Sequence, residues 1–323
     1  MLPASDKRLG PLRCFRGAAL PGHALVVYDP DSALVCDIVA CEDAYQSERI
    51  GAAQLIESAQ AAQVWIGDRH FCTQPLLCGL QQRTAACIVR EHTNHPRLRA
   101  TGSWGEYSAI PTGRVRQQSI EPTTEEGATA PGWRRIEIEL DAPTEAGDST
   151  IALWSNLPEH IDAATIAQLY RRRWRIEGML GRLESVLHSE VKTLGHPRAA
   201  LLGFAVAVLA YNVLALLKEV TQRAHCATHP ALDVSTYHLT VEIASTYEAM
   251  MLTLPAEHLP RADDDPGKML QRLLLLACRL SPKQLASSKR APRSSVPKGY
   301  VDAHVARSHV STDRVLKAVA QRR

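Results

Sequence analysis

The chain has 323 residues, 45% of them apolar and 22% charged, with 37 Lys and Arg against 34 Asp and Glu for a formal net charge of +3. That length buries a large core and leaves room for one big domain or two ordinary ones, and the composition excludes global disorder. The eight cysteines, at 14, 36, 41, 72, 78, 87, 226 and 278, form no C-x-x-C pair, and no secretory pattern is present. Reduced thiols in a cytoplasmic protein fit that usage.

Taken in chain order, residues 24–29 (ALVVYD) and 33–39 (ALVCDIV) are short β-rich runs separated by the turn signal Pro30-Asp31-Ser32. Residues 47–62 read as a helix with Ser47 as N-cap, 64–66 as a buried strand, 73–82 as a helix and 85–90 as a strand. Strands interleaved with helices indicate an α/β sheet with at least one parallel pair. From 92 to 153 the pattern becomes β-rich, with segments such as 113–120 and the alternating WRRIEIEL of 133–140 between Gly/Pro/Thr-rich turns. One more strand, 150–154, precedes a mostly helical remainder.

A long helix is expected over 162–192, with Ile166, Leu169, Ile176, Leu180, Leu183 and Leu187 on its buried stripe. Tyr170, Arg173, Glu177 and Glu184 share a second face, because they are spaced by 3, 4 and 7 residues. Residues 199–217 (AALLGFAVAVLAYNVLALL) carry no charge and reach the length of a membrane span. Their alanine content, Asn212 and the charged helix before them favour a central helix buried on all sides. Residues 281–323 hold ten Lys and Arg against Asp302 and Asp313, so the tail carries +8 and the remaining 280 residues −5. Such a tail suits a polyanion and equally a solvated terminus. His225-Cys226-Ala227-Thr228-His229 offers zinc-type ligands without a second pair at the usual separation.

Two places could carry chemistry. Arg171, Arg172, Arg173 and Arg175 surround Trp174 just before Glu177, which reads either as an exposed helix with i,i+4 ion pairs or as a face for an anionic ligand. Gly67-Asp68-Arg69 directly follows the strand at 64–66, where α/β proteins place ligands, although a capping Asp looks the same. Convergent carboxylates from separate elements are what phosphoryl transfer with divalent ions requires.

The segment LYRRRWRIEGML, with Tyr170-x2-Arg173-x3-Glu177, resembles the Tyr-Arg-Glu signature of bacterial insertion-sequence transposases of the insertion sequence four family, within the Asp-Asp-Glu class. The stretches ALPGHALVVYDPDSALVCDIVACEDAYQSERI, VWIGDRHFCT, IVREH and LLGFAVAVLAYNVLALLK are similar to family segments as well, so the resemblance covers roughly residues 8–220. It implies an α/β, RNase H-like mixed sheet over 1–220, with 92–153 as a β-rich insertion, followed by a helical, basic region over 221–323. It also implies that Asp68 and Glu177 are catalytic and hold Mg2+ or Mn2+. Tyr170 and Arg173 would position Glu177 and the DNA backbone, with Arg171, Arg172, Arg175 and Lys192 as further DNA contacts. Trp104 or Trp133 would hold a flipped base. The expected partners are double-stranded DNA, at transposon terminal repeats and target sites, and a second copy in a homodimer in the cytoplasm, with no membrane.

Two positions depart from the family pattern. Its Lys beyond the glutamate is Glu184 here, and its first aspartate, on the first core strand, has no counterpart, since Asp29 and Asp37 align with later strands. The expectation is therefore a truncated frame that is inactive alone, with a non-catalytic DNA-binding remnant as its rival and a membrane protein as a distant third.

Overall fold

The two apolar runs at the start fold as an antiparallel hairpin, β1 (His23–Asp29) and β2 (Leu34–Cys41). They open a computed structural model that describes residues 22–43, 46–92, 96–122, 132–144, 147–187, 197–255 and 265–287. Asp29 builds the turn: its carboxylate accepts from the Asp31 N–H at 2.9 Å and the Ser32 hydroxyl at 2.6 Å, and Ala33 takes φ 58°. Helix α1 (Glu48–Ser58) starts at Ser47, whose hydroxyl accepts from the Arg49 N–H at 3.4 Å. It stops four residues before the expected end, because the chain turns at 59–63 with Ala62 at φ 66°.

Strand β3 (Val64–Gly67) pairs in parallel with β4 (Ala86–Arg90), and α2 (Gln74–Gln82) is the crossover between them. Helices α1 and α2 touch at Gly79, where an added Cβ would sit 2.6 Å from Ile56 Cδ1. The β-rich segment supplies β5 (Leu98–Ala100), β6 (Ser108–Ile110), β7 (Gly113–Pro122) and β8 (Trp133–Leu140), and β9 (Thr150–Ser155) returns to the core. The result is one mixed seven-stranded sheet in the order β3-β4-β9-β8-β7-β5, with β6 also on β7, so the insertion extends the core sheet rather than forming a separate lobe.

Both faces of this sheet are covered. Leu76, Leu77 and Leu80 of α2 pack on Cys87, Val89, Trp133 and Trp154 on one side. On the other, α3 (Ala163–Arg171) lays Ala163, Ile166 and Ala167 over Ile88, Val115, Ile136 and Leu153. Continuous apolar strands such as ACIVR suit burial on both faces. β3 is also apolar throughout, yet among the described residues it has β4 on one side and no strand on the other, and Val64 is 43% exposed.

The single helix expected over 162–192 is two: α3, and α4 (Trp174–Ser185). Arg172 and Arg173 keep right-handed helical angles, but the N–H groups of Arg172, Arg173, Arg175 and Ile176 bond three residues back instead of four. The hairpin holds this tightened turn: Arg172 pairs with Asp31, and Arg175 Nη1 donates to the Pro30 carbonyl at 2.9 Å. The turn also rotates the buried stripe, so Met179 is fully buried and Leu180, expected inside, is 43% exposed. Residues 188–192 of the expected helix lie outside the described residues.

Helix α5 (Pro197–His225) packs Ala207, Val208 and Tyr211 with Met179 and Leu183 of α4 on Val35 of β2. Asn212 closes the edge of β2, donating to the Val35 carbonyl and accepting from its N–H, each at 2.9 Å. The expectation of burial on all sides fails: Leu202, Val206, Leu209, Val213 and Leu216 are exposed. This helix is long and apolar enough to cross a membrane. Helices α6 (Thr236–Thr253), α7 (Pro266–Ala277) and the short α8 (Pro282–Leu285) follow.

The chain divides into two compact units, Met1–Ala142 with Ser149–Ser287, and Pro143–Asp148 with Ser288–Arg323. Every element above belongs to the first. Of the second, the described residues are Pro143, Thr144, Gly147 and Asp148, a turn in which the Thr144 N–H donates to the Asp148 carbonyl at 2.9 Å. The domain boundary expected after residue 220 falls inside α5, and the basic tail from 288 onward lies outside the described residues.

Candidate active site

Asp68 stands at the C-terminal end of β3, the end of a parallel pair at which α/β folds expose ligand-binding groups. It performs the bland role too, since its Oδ1 accepts from the Arg69 N–H at 2.6 Å and caps the short 3₁₀ turn Arg69–Phe71. Gly67 pairs with Val89, so Arg90 lies level with Asp68 on the neighbouring strand. The sequence reading passed over Arg90; its one signal was the register of two strands with matching ends.

Tyr170 arrives from the other side of the sheet. The sheet face anchors α3 through Ile166 and Ala167, and Asp162 N-caps it by accepting from the Thr165 N–H at 2.6 Å. Burial pushes the Tyr170 phenol above its ordinary range, Arg173 pulls it down, Asp68 pushes it up again and Arg90 pulls it down. Asp68, just past the end of β3, and Arg90, the last residue of β4, are thus both close enough to the Tyr170 phenol to act on it electrostatically. Arg173 sits 5.9 Å from the centre of the Tyr170 ring and 3.3 Å from the Glu177 carboxylate. Glu177 is 43% exposed at the side chain and lies in the first turn of α4, where the helix dipole favours a carboxylate. Tyr170, Arg173 and Glu177 thus form a chain of neighbours across the tightened turn, with Asp68 within electrostatic reach of its Tyr170 end.

The other expected residues divide. Arg172 and Arg175 are engaged with the hairpin, so Arg173 is the member of the cluster paired with Glu177. Arg171 is exposed, and Lys192 lies outside the described residues. Glu184 is exposed, and Arg182, a candidate to offset it, donates to the Tyr211 hydroxyl at 3.2 Å. Trp133 is 1% exposed and its indole N–H donates to Gln81 at 2.9 Å; packed this way, it has no face for a base. Trp104 is half-buried, with the Arg116 guanidinium 4.4 Å from its ring centre.

Asp29 is committed to its turn: burial raises its carboxyl, but the hydrogen bonds from Ser32 and Asp31 outweigh that and hold it below the usual range. Asp37 lies in β2 beside Val27. His225 meets the Ala277 carbonyl at 3.0 Å and His229 the Thr228 hydroxyl at 2.9 Å. Among the described residues no group of three or more His, Cys, Asp or Glu could hold a metal. The hard oxygens of Asp68 and Glu177 suit Mg2+ or Mn2+, but as a donor set they are incomplete.

A mixed sheet with helices on both faces, a carboxylate ending one of its parallel strands and a Tyr/Arg/Glu helix pair beside it define an α/β protein of RNase H-like fold with a helical C-terminal region. The family model described as "Transposase DDE domain" matches residues 18–213, more than half of the chain, and the chain belongs to that family. It is a transposase domain, which implies that it binds DNA, in a family that generally uses divalent metals. A search of the curated proteins finds no significant match.

Proposed function

We propose that this chain is an insertion sequence four transposase in which Asp68 and Glu177 are two of the three carboxylates that serve DNA strand cleavage and strand transfer at transposon ends. What supports the reading is Asp68 at the C-terminal end of β3, level with Arg90 of β4, together with the Tyr170–Arg173–Glu177 contacts across the α3–α4 turn. A bound Mg2+ or Mn2+ would supply charge stabilisation at the phosphodiester. Asp68 and Glu177 would hold it, Arg173 fixes the Glu177 carboxylate, and Tyr170 and Arg173 orient the DNA backbone. Arg171 and Lys192 add phosphate contacts, and two copies in the bacterial cytoplasm would hold the two transposon ends and the target duplex.

The two-carboxylate set favours a second reading, a chain that is inactive alone, binds DNA and inhibits an intact relative by joining its assembly. Among the described residues no strand lies on the second side of β3, which supports it, because a strand there would be the natural carrier of a third carboxylate beside Asp68. Metal-dependent nicking of terminal-repeat DNA separates the two. Robust nicking that disappears in Asp68→Ala refutes the inactive reading. DNA binding without nicking at any Mg2+ or Mn2+ concentration supports it.

A further inference from the structure

The exposed apolar residues of α5 have a definite order. Leu202, Val206, Leu209, Val213 and Leu216 are spaced 4, 3, 4 and 3 residues apart, and each is 48–67% exposed. That is a heptad seam with Leu at the d positions and Val at the a positions, the combination that favours two strands over three or four when helices run parallel. Its flanks are Gly203, Ala205 and Ala210, which let another helix approach closely; a Cβ added at Gly203 would meet nothing within 4 Å. No charge interrupts the seam between Arg198 and Lys218.

The opposite face of the same helix is already occupied. Ala207, Val208 and Tyr211 are buried against α4 and the β1–β2 hairpin, and Asn212 is bonded to the backbone of Val35. Lipid therefore cannot surround α5. Between Arg198 and Lys218 the helix also has no Lys, Arg or Trp to run along the strip as an interfacial helix needs. It is a narrow stripe, the shape of a helix–helix contact. The five side chains offer on the order of 500 Å² per copy and about 1,000 Å² across a two-fold pair, the lower limit of a specific interface. Leu275 and Leu276 of α7, which packs along α5, are exposed as well and enlarge the apolar surface.

We infer that α5 is the seam of a homodimer: a second copy of this chain packs its own Leu202–Leu216 stripe against the first in a self-complementary, two-fold contact. This deepens the two-copy assembly proposed above by naming its surface, and it requires neither DNA nor catalysis.

The test uses the full chain without DNA. Sedimentation equilibrium at micromolar concentrations should give twice the chain mass for the wild type and the chain mass for Leu209→Glu, with unchanged far-UV circular dichroism. Leu252→Glu, at an 87% exposed position of α6, should keep the doubled mass. If Leu209→Glu misfolds, Leu209→Ala serves instead and should raise the dimer dissociation constant at least tenfold. A monomeric wild type overturns the inference, as does a dimer that survives every change in the seam; the latter leaves the two-copy assembly standing on another surface. Flotation of the wild type, but not of Leu209→Glu, with phosphatidylcholine and phosphatidylglycerol vesicles would assign the stripe to lipid and overturn it too.

Discussion

Replacing Arg134 with Met should destabilise the protein by several kcal/mol. The residue is 6% exposed, and its guanidinium donates to Gln117 Oε1 and the Ile161 carbonyl at 2.9 Å and to the Leu157 and Pro158 carbonyls at 3.0 Å. Burial lowers its pKa, while Glu159 and Asp162 oppose that, so it stays cationic. Four hydrogen bonds from a charged donor are worth about 1.5–3 kcal/mol each, or roughly 6–12 kcal/mol gross. Relief of the desolvated charge returns several kcal/mol, and Nε is already buried without a partner. The net loss should be about 3–5 kcal/mol, the range seen when one partner of a buried charged set is removed. At roughly 2–4 °C per kcal/mol for a large domain, Tm should fall by about 10 °C. Arg134→Lys should recover less than half, because a point charge cannot span the fork. Urea unfolding measures the change, and a Met variant within about 1 kcal/mol of the wild type would refute the accounting. The bonds staple residues 157–161 directly before the N-cap Asp162, so the same variant should loosen α3 and displace Tyr170.

Asp68→Asn should keep the cap on Arg69, leave Tm unchanged and lower the alkaline titration of one tyrosine, because Asp68 adds to burial in holding Tyr170 up. Ultraviolet titration reads the shift, and its persistence in a Tyr170→Phe background would show that the wrong tyrosine had been named. Cys72 is pushed by burial from 9.0 to about 11, so its contribution is fully present below about pH 9 and is lost as pH rises toward 11. Over that window the loss is on the order of 3 kcal/mol, and Cys72→Ala should flatten the decline of Tm with pH. Iodoacetamide should label the exposed Cys36, Cys226 and Cys278 in the native protein while Cys72 and Cys87 wait for denaturant, as mass spectrometry would record. Asn212→Leu should cost about 2 kcal/mol in urea unfolding, because both polar groups of Val35 at the β2 edge lose their partner.

Local pattern carried much of the architecture. The alternation of WRRIEIEL identified β8, the run after Gln63 identified β3, and the Pro30-Asp31-Ser32 signal identified the hairpin turn. The break between α3 and α4 was hidden because both arginines at the junction keep helical angles; it comes from Asp31 and Pro30, some 140 residues away. The same tertiary pull moved Met179 inward and Leu180 outward. An uncharged stretch such as 199–217 reads alike whether it is covered on every side or on one, so the open seam of α5 could be seen only with its neighbours in place. In the candidate site, spacing put Tyr170, Arg173 and Glu177 on one helical face and position put Asp68 at a strand end, while their roles came from the family resemblance; Arg90 needed the β3–β4 register and Trp133 needed its packing.

Among the described residues β3 is unpaired on one side, and that bears on how the protein behaves in the tube. Alternate residues of an edge strand present unpaired N–H and C=O groups, and Val64-Trp65-Ile66-Gly67 offers no Lys, no Pro and no bulge to deflect an incoming chain. Such an edge accepts any extended segment of matching length, so concentrated solutions should associate through it irrespective of DNA. A charge placed at Val64, 43% exposed, is the simplest way to keep the protein soluble without touching Asp68.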